Sequence, residues 1–289
     1  MASAFPDGNE PHASPVGLIA GGGTMPFAVA DSLDARGTPP VLFALRGVCD
    51  PKPVARYRHH WISIGQYGRL KKLFRSEGCR DLVFIGTLAR PALSEIRLDF
   101  GTLGVLRQIW AAFRGGDDHL LSGIGRIFER DGFRLLGIKD IAPALLAPEG
   151  CLTRVVPDSA ASADIAIARR VLAALGPFDI GQAAVVIDRH VVGVEDIEGT
   201  DGLLARIASL RERGRIRAPE KRGVLVKAPK HGQDLRFDLP TIGPSTVEGA
   251  ATARLAGIAV VAGNTLVAEP QAMIEKAEAC GLFVTGLGA

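Results

Sequence analysis

The chain has 289 residues, of which 47% are hydrophobic and 22% are charged, and its formal net charge is +3. A chain of this length and composition is not intrinsically disordered and can bury the core of one large domain or two ordinary ones. Its basic and acidic residues are interspersed, which excludes the concentrated basic stripe of a nucleic-acid-binding protein. We therefore expect no nucleic-acid partner.

Residues 1–15 are predicted to form a flexible tail. They lack the basic start and apolar run of a secretory signal, and no later stretch approaches the roughly 20 apolar residues that span a bilayer. The cysteines lie far apart and form no CxxC pair, so neither a zinc site nor a disulfide framework is indicated. We expect a cytoplasmic protein whose contact with the inner membrane, where it occurs, is peripheral and at the cytoplasmic face.

The first half of the chain alternates strand patterns with helical ones. Strands are predicted at residues 16–20, 40–45, 60–64, 81–86 and 132–137, and helices at 27–36, 67–77 and 101–130, the last interrupted at Gly115–Gly116. Strands that alternate with helices predict a parallel sheet with crossover connections. Residues 16–150 are therefore predicted to form a Rossmann-like α/β domain.

A glycine loop, Gly21, Gly22 and Gly23 with Thr24, follows the first predicted strand. Glycines at this place let backbone N–H groups approach a phosphate at a helix N-terminus. The dinucleotide fingerprint GxGxxG is incomplete, because Pro26 replaces its third glycine and the second strand ends at Arg46 without a ribose-binding acid. The pattern predicts phosphate or ribose contact, and a purely structural strand-to-helix turn is the alternative.

A proline-containing stretch at 141–157 separates the two predicted domains. Beyond it, helices are predicted at 161–175, 199–213, 247–255 and 270–280, strands at 223–227, 258–262 and 265–267, and a tight hairpin at 183–195. Residues 151–289 are therefore predicted to form a second α/β domain, which carries the catalytic residues.

Two acids, Glu198 and Asp201, follow the predicted hairpin and lie at the start of the next predicted helix. Carboxylates in this arrangement suit a hard cation such as Mg²⁺, which takes oxygen ligands. Acids are also common at helix starts, where Thr200 can serve as N-cap and Asp201 can interact with the helix dipole. Metal binding and helix capping are both open interpretations.

A loop rich in charge follows a predicted buried strand and contains Lys227, Lys230, Asp234, Arg236 and Asp238. If the piece around Arg236 is extended, Asp234 and Asp238 lie on the same face as its guanidinium. Pyrophosphate hydrolysis needs such parts, since cations neutralise phosphoryl oxygens and a carboxylate holds the metal or orients water. A solvated loop without a chemical role is the alternative.

Several stretches together resemble the LpxI-type UDP-2,3-diacylglucosamine pyrophosphatases of lipid A biosynthesis. They are Gly17–Gly23, Gly116–Leu121, Asp179–Gln182, Glu198–Asp201, Lys227–Lys230 and, most distinctively, Asp238–Gly243. The resemblance implies two α/β domains that hold the substrate between them. It also implies a hydrolase, dependent on Mg²⁺ or Mn²⁺, that converts this lipid-linked sugar nucleotide to UMP and 2,3-diacylglucosamine 1-phosphate.

The resemblance places the essential aspartate of the family on Asp238. Together with the patterns above, it defines a candidate site of catalytic residues Asp238, Lys227 and Lys230, substrate-binding residues Gly21, Gly22, Gly23, Thr24, Gln182, Arg236 and Thr241, and metal ligands Asp238, Glu198 and Asp201. Asp117–His119 forms a further polar cluster at a helix start, where capping is the alternative to ligand binding.

An apolar helical face is predicted within residues 100–114, where Leu103, Leu106, Trp110 and Phe113 recur every three or four residues. It is a candidate contact for acyl chains or a membrane surface, and packing against the sheet or a second subunit is the alternative.

A homodimer is one expectation for the assembly. Two other functions are open: an NAD-dependent oxidoreductase, and a non-catalytic nucleotide- or lipid-binding module.

Overall fold

The computed structural model describes residues 14–87, 97–108, 117–230 and 232–288, with the side chains of the helix that begins at 117 described from residue 121 onward. Chain contacts divide these residues into two compact units. The N-terminal unit extends to Pro143 and also includes Asp234–Asp238, and the C-terminal unit holds Ala144–Gln233 and the chain from Leu239 onward.

The N-terminal unit is built on a parallel sheet with the strand order β3-β2-β1-β4-β5. Its strands are β1 (Val16–Ala20), β2 (Pro40–Leu45), β3 (His59–Ile62), β4 (Asp81–Ile85) and β5 (Arg134–Leu135). Its helices are α1 (Met25–Ala35), α2 (Pro51–Val54), α3 (Tyr67–Ser76), α4 (Phe100–Leu103), α5 (Asp117–Arg130) and α6 (Ile138–Ile141). This strand order is that of the doubly wound nucleotide-binding sheets, and the predicted parallel α/β sheet is confirmed.

Continuous apolar runs explain the centre of this sheet. Every residue of β1 and β2 is buried, as expected for parallel strands that are covered on both faces. On one face, the Phe74 ring makes edge contacts with the rings of Phe43 (4.4 Å) and Phe133 (5.3 Å). The prediction of an entirely helical segment at 101–130 is wrong at residues 104–105, which form a turn after α4.

The C-terminal unit has a mixed sheet with the strand order β6-β13-β11-β9-β7-β8, and β10 pairs separately with β12. Its strands are β6 (Gly150–Cys151), β7 (Ala183–Ile187), β8 (His190–Val194), β9 (Val224–Lys227), β10 (Thr241–Ile242), β11 (Gly257–Val261), β12 (Leu266–Val267) and β13 (Phe283–Leu287). Its helices are α7 (Ser159–Leu175), α8 (Gly199–Glu212), α9 (Pro244–Thr252) and α10 (Pro270–Cys280). Strands β9, β11 and β13 are parallel, whereas β7 and β8 form the predicted antiparallel hairpin.

A buried carboxylate holds the turn of this hairpin. Asp188 and Arg189 both have positive φ angles, 49° and 64°, as a tight hairpin turn requires. Their backbone N–H groups donate to the two carboxylate oxygens of Asp164 at 3.1 and 2.6 Å. Asp164 is buried on α7, and burial raises the pKa of this carboxyl even though the two N–H groups favour its charged form. The side chain therefore joins α7 to the end of the sheet.

The segment Asp234–Asp238 belongs to the N-terminal unit although it lies in the second half of the sequence. The Phe237 ring packs edge-on against Phe84 of β4 at 5.4 Å, and it lies so close to Gly125 of α5 that a side chain at that glycine would overlap it. The glycine therefore makes room for the ring. The predicted second domain, residues 151–289, was continuous, and this segment is an exception that only tertiary contacts specify.

The piece around Arg236 does not meet the condition of an extended backbone, because residues 235–237 form a turn. The Phe237 N–H donates to the Asp234 carbonyl (3.1 Å), and the Arg236 N–H donates to the Asp234 carboxylate (3.1 Å). A side-chain oxygen that binds the backbone two residues later stabilises a turn over an extended strand. Strand geometry therefore does not place the side chains of residues 234, 236 and 238 on one face.

No helix among the described residues is long and apolar enough to cross a membrane.

Candidate active site

The glycine loop joins β1 to α1, and its first residues are hydrogen-bonded to the end of β4 and the loop after it. The N–H groups of Gly21 and Gly22 donate to the carbonyls of Ile85 and Thr87, both at 2.8 Å. A Cβ atom at Gly21 would lie 2.5 Å from the Thr87 carbonyl oxygen, so the close approach of the two backbones requires glycine there. These two N–H groups are thus committed to the sheet edge and are not available to a phosphate.

Gly23 and Thr24 present a different surface from the first half of the loop. Both residues are exposed, and in the described part of the chain their backbone N–H groups have no protein acceptor. Gly23 has a φ of 87°, the left-handed region that favours glycine, and it turns the chain into the first turn of α1. The part of the loop that can meet an anion is therefore Gly23–Thr24 and the start of α1.

Lys227 ends β9 with its side chain buried, at 6% exposure. Its ammonium group donates to the main-chain carbonyl of Thr241 at 2.9 Å. Burial of a cation is costly unless it is hydrogen-bonded, so this contact fixes both the lysine and the start of β10. Thr241 lies three residues after Asp238 in the sequence, so Lys227 holds the main chain just beyond the predicted essential aspartate.

Lys230 lies in a loop where several polar side chains meet. Its ammonium group forms an ion pair with the Asp179 carboxylate (2.5 Å), and its backbone N–H donates to the amide oxygen of Gln233 (2.9 Å). The same oxygen of Gln233 accepts a hydrogen bond from the side chain of Gln182 at 3.3 Å. The stretches 179–182 and 227–230, which are far apart in sequence, are thus joined into one network.

Glu195 extends this network to the helix that follows the hairpin. One carboxylate oxygen accepts the backbone N–H of Gln182 (2.7 Å) and the other accepts the hydroxyl of Thr200 (2.7 Å). Gly181, at a φ of 46°, leaves space for the Glu195 carbonyl oxygen, which a side chain would overlap. Thr200 is therefore not the N-cap; α8 begins at Gly199, with Glu198 in the cap position.

The two predicted acids near this helix are differently placed. The Glu198 carboxylate forms an ion pair with Arg206 at 2.7 Å, and this partner lowers the pKa of Glu198. Asp201 is exposed in the first turn of α8, a favourable position for an acid at a helix start. The described residues contain no group of three His, Cys, Asp or Glu side chains that could hold a metal ion. Glu198 and Asp201 thus belong to no preassembled three-ligand site in the described part of the chain.

Arg236 is held by two carboxylates within the N-terminal unit. Its guanidinium binds Asp234 (2.7 Å) and Glu129 of α5 (2.6 Å). The hydrogen bonds from Arg236 outweigh burial and keep the pKa of the Asp234 carboxyl below its usual value. Much of the charge of Arg236 is therefore neutralised inside the protein, so its predicted role as a substrate-binding cation competes with a structural one.

Asp238 follows the 235–237 turn and is half-buried, with the buried Leu239 and Pro240 directly after it. Thr241 then enters β10, where it pairs with Leu266 of β12.

The side chains of Asp117, Asp118 and His119, together with Trp110 and Phe113, lie outside the described residues. Of the predicted apolar face, Leu103 and Leu106 are described, and both are exposed.

Three residues of the network, Asp179, Glu195 and Gln233, were not among the predicted site residues. Each is a polar side chain within or next to a motif that was singled out, but ordinary loop residues look the same in sequence. Glu195 gives the clearest signal in retrospect, because it directly follows a half-buried strand and precedes an acid-rich helix start. Only the fold brings it to Gln182.

Comparison with known proteins gives matches over both units. Residues 15–145 match the LpxI N-terminal domain, and residues 148–285 match the LpxI C-terminal domain. The chain is 42% identical over 272 residues to the UDP-2,3-diacylglucosamine pyrophosphatase LpxI of Caulobacter vibrioides, a similarity that covers 94% of this chain and 97% of that protein. The matched ranges include every residue of the candidate site.

Proposed function

The chain belongs to the LpxI family, and we propose that it hydrolyses the pyrophosphate of UDP-2,3-diacylglucosamine to UMP and 2,3-diacylglucosamine 1-phosphate, a step of lipid A biosynthesis. The observation that carries the proposal is the 42% identity to a pyrophosphatase of that name over almost the whole of both chains. The buried Lys227 and the ion pair of Lys230 with Asp179 support it, because they hold two cations at and just after the end of the buried strand β9, and cations neutralise phosphoryl oxygens.

In the proposed reaction, water attacks one phosphorus atom and the bridging P–O bond breaks. Lys227 and Lys230 are proposed to neutralise charge that develops on the phosphoryl oxygens. Lys227 suits this role because its ammonium group is already desolvated and is held in place by a hydrogen bond to the Thr241 carbonyl, so little reorganisation accompanies the reaction. Gln182 is proposed to hold the substrate, since the Glu195 carboxylate fixes its backbone and Gln233 fixes its amide.

Asp238 is proposed to act in the chemical step, by holding a divalent cation or by orienting the water. Mg²⁺ in phosphate sites is commonly held by one or two carboxylates together with substrate phosphate oxygens, so one half-buried acid fits this ion without a three-ligand cage. When bound, the ion supplies Lewis-acid stabilisation of the phosphoryl oxygens. Asp201, exposed at the start of α8, is proposed as a further ligand.

Gly23 and Thr24 are proposed to contact the nucleotide through the exposed backbone N–H groups at the start of α1. A nicotinamide cofactor is the less favoured ligand for this loop, because Arg46 stands at the end of β2 where an acid would hold the ribose.

A peripheral contact with a membrane surface is proposed for the exposed apolar side chains around α4. Phe100 is 93% exposed and Leu103 is 53% exposed, which is unusual for large apolar residues and is consistent with a lipid contact. The protein acts on a diacyl substrate in this proposal, so such a contact would place it where the substrate lies.

The test of the proposed function is incubation of the purified protein with UDP-2,3-diacylglucosamine and Mg²⁺, followed by chromatographic detection of UMP. We expect UMP release that exhaustive chelation abolishes and that added Mg²⁺ or Mn²⁺ restores. Full activity after chelation would contradict the proposed role of the metal but not the proposed hydrolysis. The two other candidate functions are distinguished in the same experiment, because NAD-dependent oxidation or simple binding would leave the pyrophosphate intact.

A further inference from the structure

The loops that follow β1, β2 and β3 leave the N-terminal sheet at its carboxyl edge, and the loop after β1 is the glycine loop. Ala20, Ala44 and Trp61 are register partners on adjacent strands, so β1, β2 and β3 end side by side. The loop after β2 lies on the glycine loop, because the Cys49 thiol donates to the Gly21 carbonyl at 2.9 Å and Val48 lies against Gly22. Ligands of open parallel sheets bind at this edge.

At this edge the Arg46 guanidinium lies over the ring of Trp61, 6.0 Å from its centroid. Trp61 lies on β3, the edge strand of the sheet, and is half-buried. Arg46 is exposed, and no carboxylate of the described residues lies within ion-pair distance of it. A partly exposed aromatic ring and an uncompensated planar cation therefore stand together at this edge, two strands away from the exposed Gly23 and Thr24.

This pair has the chemistry of a nucleobase site. Bases stack on aromatic side chains, and a guanidinium stacks on a base or donates to its carbonyl oxygens. Arg46 stands where an acid would hold a ribose in a dinucleotide-binding fold, so this edge lacks that carboxylate and presents a cation to the nucleotide. Two strand spacings, about 10 Å, separate Trp61 from the glycine loop, a span that a ribose phosphate can bridge.

We propose that Arg46 and Trp61 form the site for the uracil ring of the nucleotide, with the ring stacked on Trp61 and its carbonyl oxygens directed to Arg46. The inference rests on the proposed function for the identity of the base. It adds a specificity-determining pair in the N-terminal unit that is separate from the network around Lys230 and Glu195. The arginine predicts a preference for uracil, which has two carbonyl oxygens, over cytosine, where an amino group replaces one of them.

The fluorescence of Trp61 provides the test. The chain has two tryptophans, so a Trp110→Phe protein reports from Trp61 alone. We expect UMP to quench this fluorescence in a saturable manner and ribose 5-phosphate to leave it unchanged. In calorimetric titrations, Trp61→Ala should weaken UMP binding about tenfold or more while Trp61→Phe retains most of it. Arg46→Gln should reduce the preference for UMP over CMP.

Arg56→Gln is the matched control, because Arg56 also lies over an aromatic ring, that of Tyr57 at 5.3 Å, and should leave UMP binding unchanged. Circular dichroism of each variant checks that it is folded. If UMP binds without changing Trp61 fluorescence, or does not bind at all, the inference is overturned even where UMP is released from the lipid substrate. If Trp61 responds to UMP but no UMP is released from that substrate, the base site stands and the proposed function fails.

Discussion

Lys227 is a cation that the fold buries at the end of β9, where its ammonium group donates to the Thr241 carbonyl. Replacing it with methionine keeps the length and removes the charge. We expect Lys227→Met to lower kcat by about 100-fold or more, since loss of one donor to a developing oxyanion has an effect of that size. Steady-state kinetics measures the change in kcat, and thermal unfolding shows whether the variant is folded. Lys276→Met, at an exposed ion pair with Glu248, is the control and should have normal kcat. A folded Lys227→Met protein with normal turnover would exclude the role.

Asp238 and Asp234 stand four residues apart and are expected to respond differently to the loss of charge. Asp238→Asn should reduce turnover by about 100-fold or more, with little change in substrate affinity or fold. Asp234→Asn should weaken the ion pair with Arg236 and lower stability, with a smaller effect on turnover. Kinetics and urea unfolding of both proteins measure the difference. The assignment of Asp238 fails if the two variants lose activity equally.

At the residue scale, motifs selected candidate residues but did not predict which side chains they contact. Lys230 and Gln182 were selected from separate motifs, and the structure joins them through Gln233. The sequence could not predict that Arg236 is held by Glu129, because that contact joins residues 107 positions apart.

Gly181 allows the 179–182 loop to pass the Glu195 carbonyl, and this contact holds the elements of the network together. Gly181→Ala should lose about 3 kcal/mol of stability, since a strained positive φ is combined with a steric overlap. Gly214→Ala is the matched control: its φ is 65° and its added Cβ meets nothing within 4 Å. That variant should lose only about 1 kcal/mol, the strain alone. Equal losses of unfolding free energy in urea would show that the contact with Glu195 is unimportant.

Asp131 fastens the end of α5 to α3, since its carboxylate accepts the Tyr67 hydroxyl (2.5 Å) and the Lys71 ammonium (2.8 Å). The Lys71 hydrogen bond, followed by that of Tyr67, lowers the pKa of Asp131. A lowered carboxyl pKa stabilises the fold above the unfolded value of about 3.9 and loses that contribution as the pH falls through the folded pKa. Asp131→Asn should therefore be about 1 kcal/mol less stable at pH 7, and the difference should shrink below pH 4. A difference that does not vary with pH would contradict this.

At the element scale, strong local signals gave accurate bounds. The apolar run Pro40–Leu45 and the helix Pro270–Cys280, which begins with proline, were predicted with the bounds that the structure has. Strand β13 was not predicted, since Phe283–Leu287 mixes a threonine and a glycine into a short run, and its place beside β11 is decided by tertiary pairing.

At the scale of the whole molecule, alternating periodicity was enough for the α/β class and for the parallel N-terminal sheet. This periodicity did not predict that Asp234–Asp238 belongs to the N-terminal unit. That assignment depends on the packing of Phe237 against Phe84 and against Gly125, which has no side chain. Motif order across both units, rather than any single motif, carried the family resemblance, and the 42% identity over 272 residues confirms it.

The most direct test of the central claim is a ³¹P NMR time course of UDP-2,3-diacylglucosamine with the purified protein and Mg²⁺. We predict that the two coupled pyrophosphate signals decay together and are replaced by two uncoupled monoester signals, those of UMP and of the sugar 1-phosphate. Persistence of the pyrophosphate signals, or their conversion to those of UDP through cleavage at the sugar, would contradict the claim that this chain hydrolyses the pyrophosphate bond.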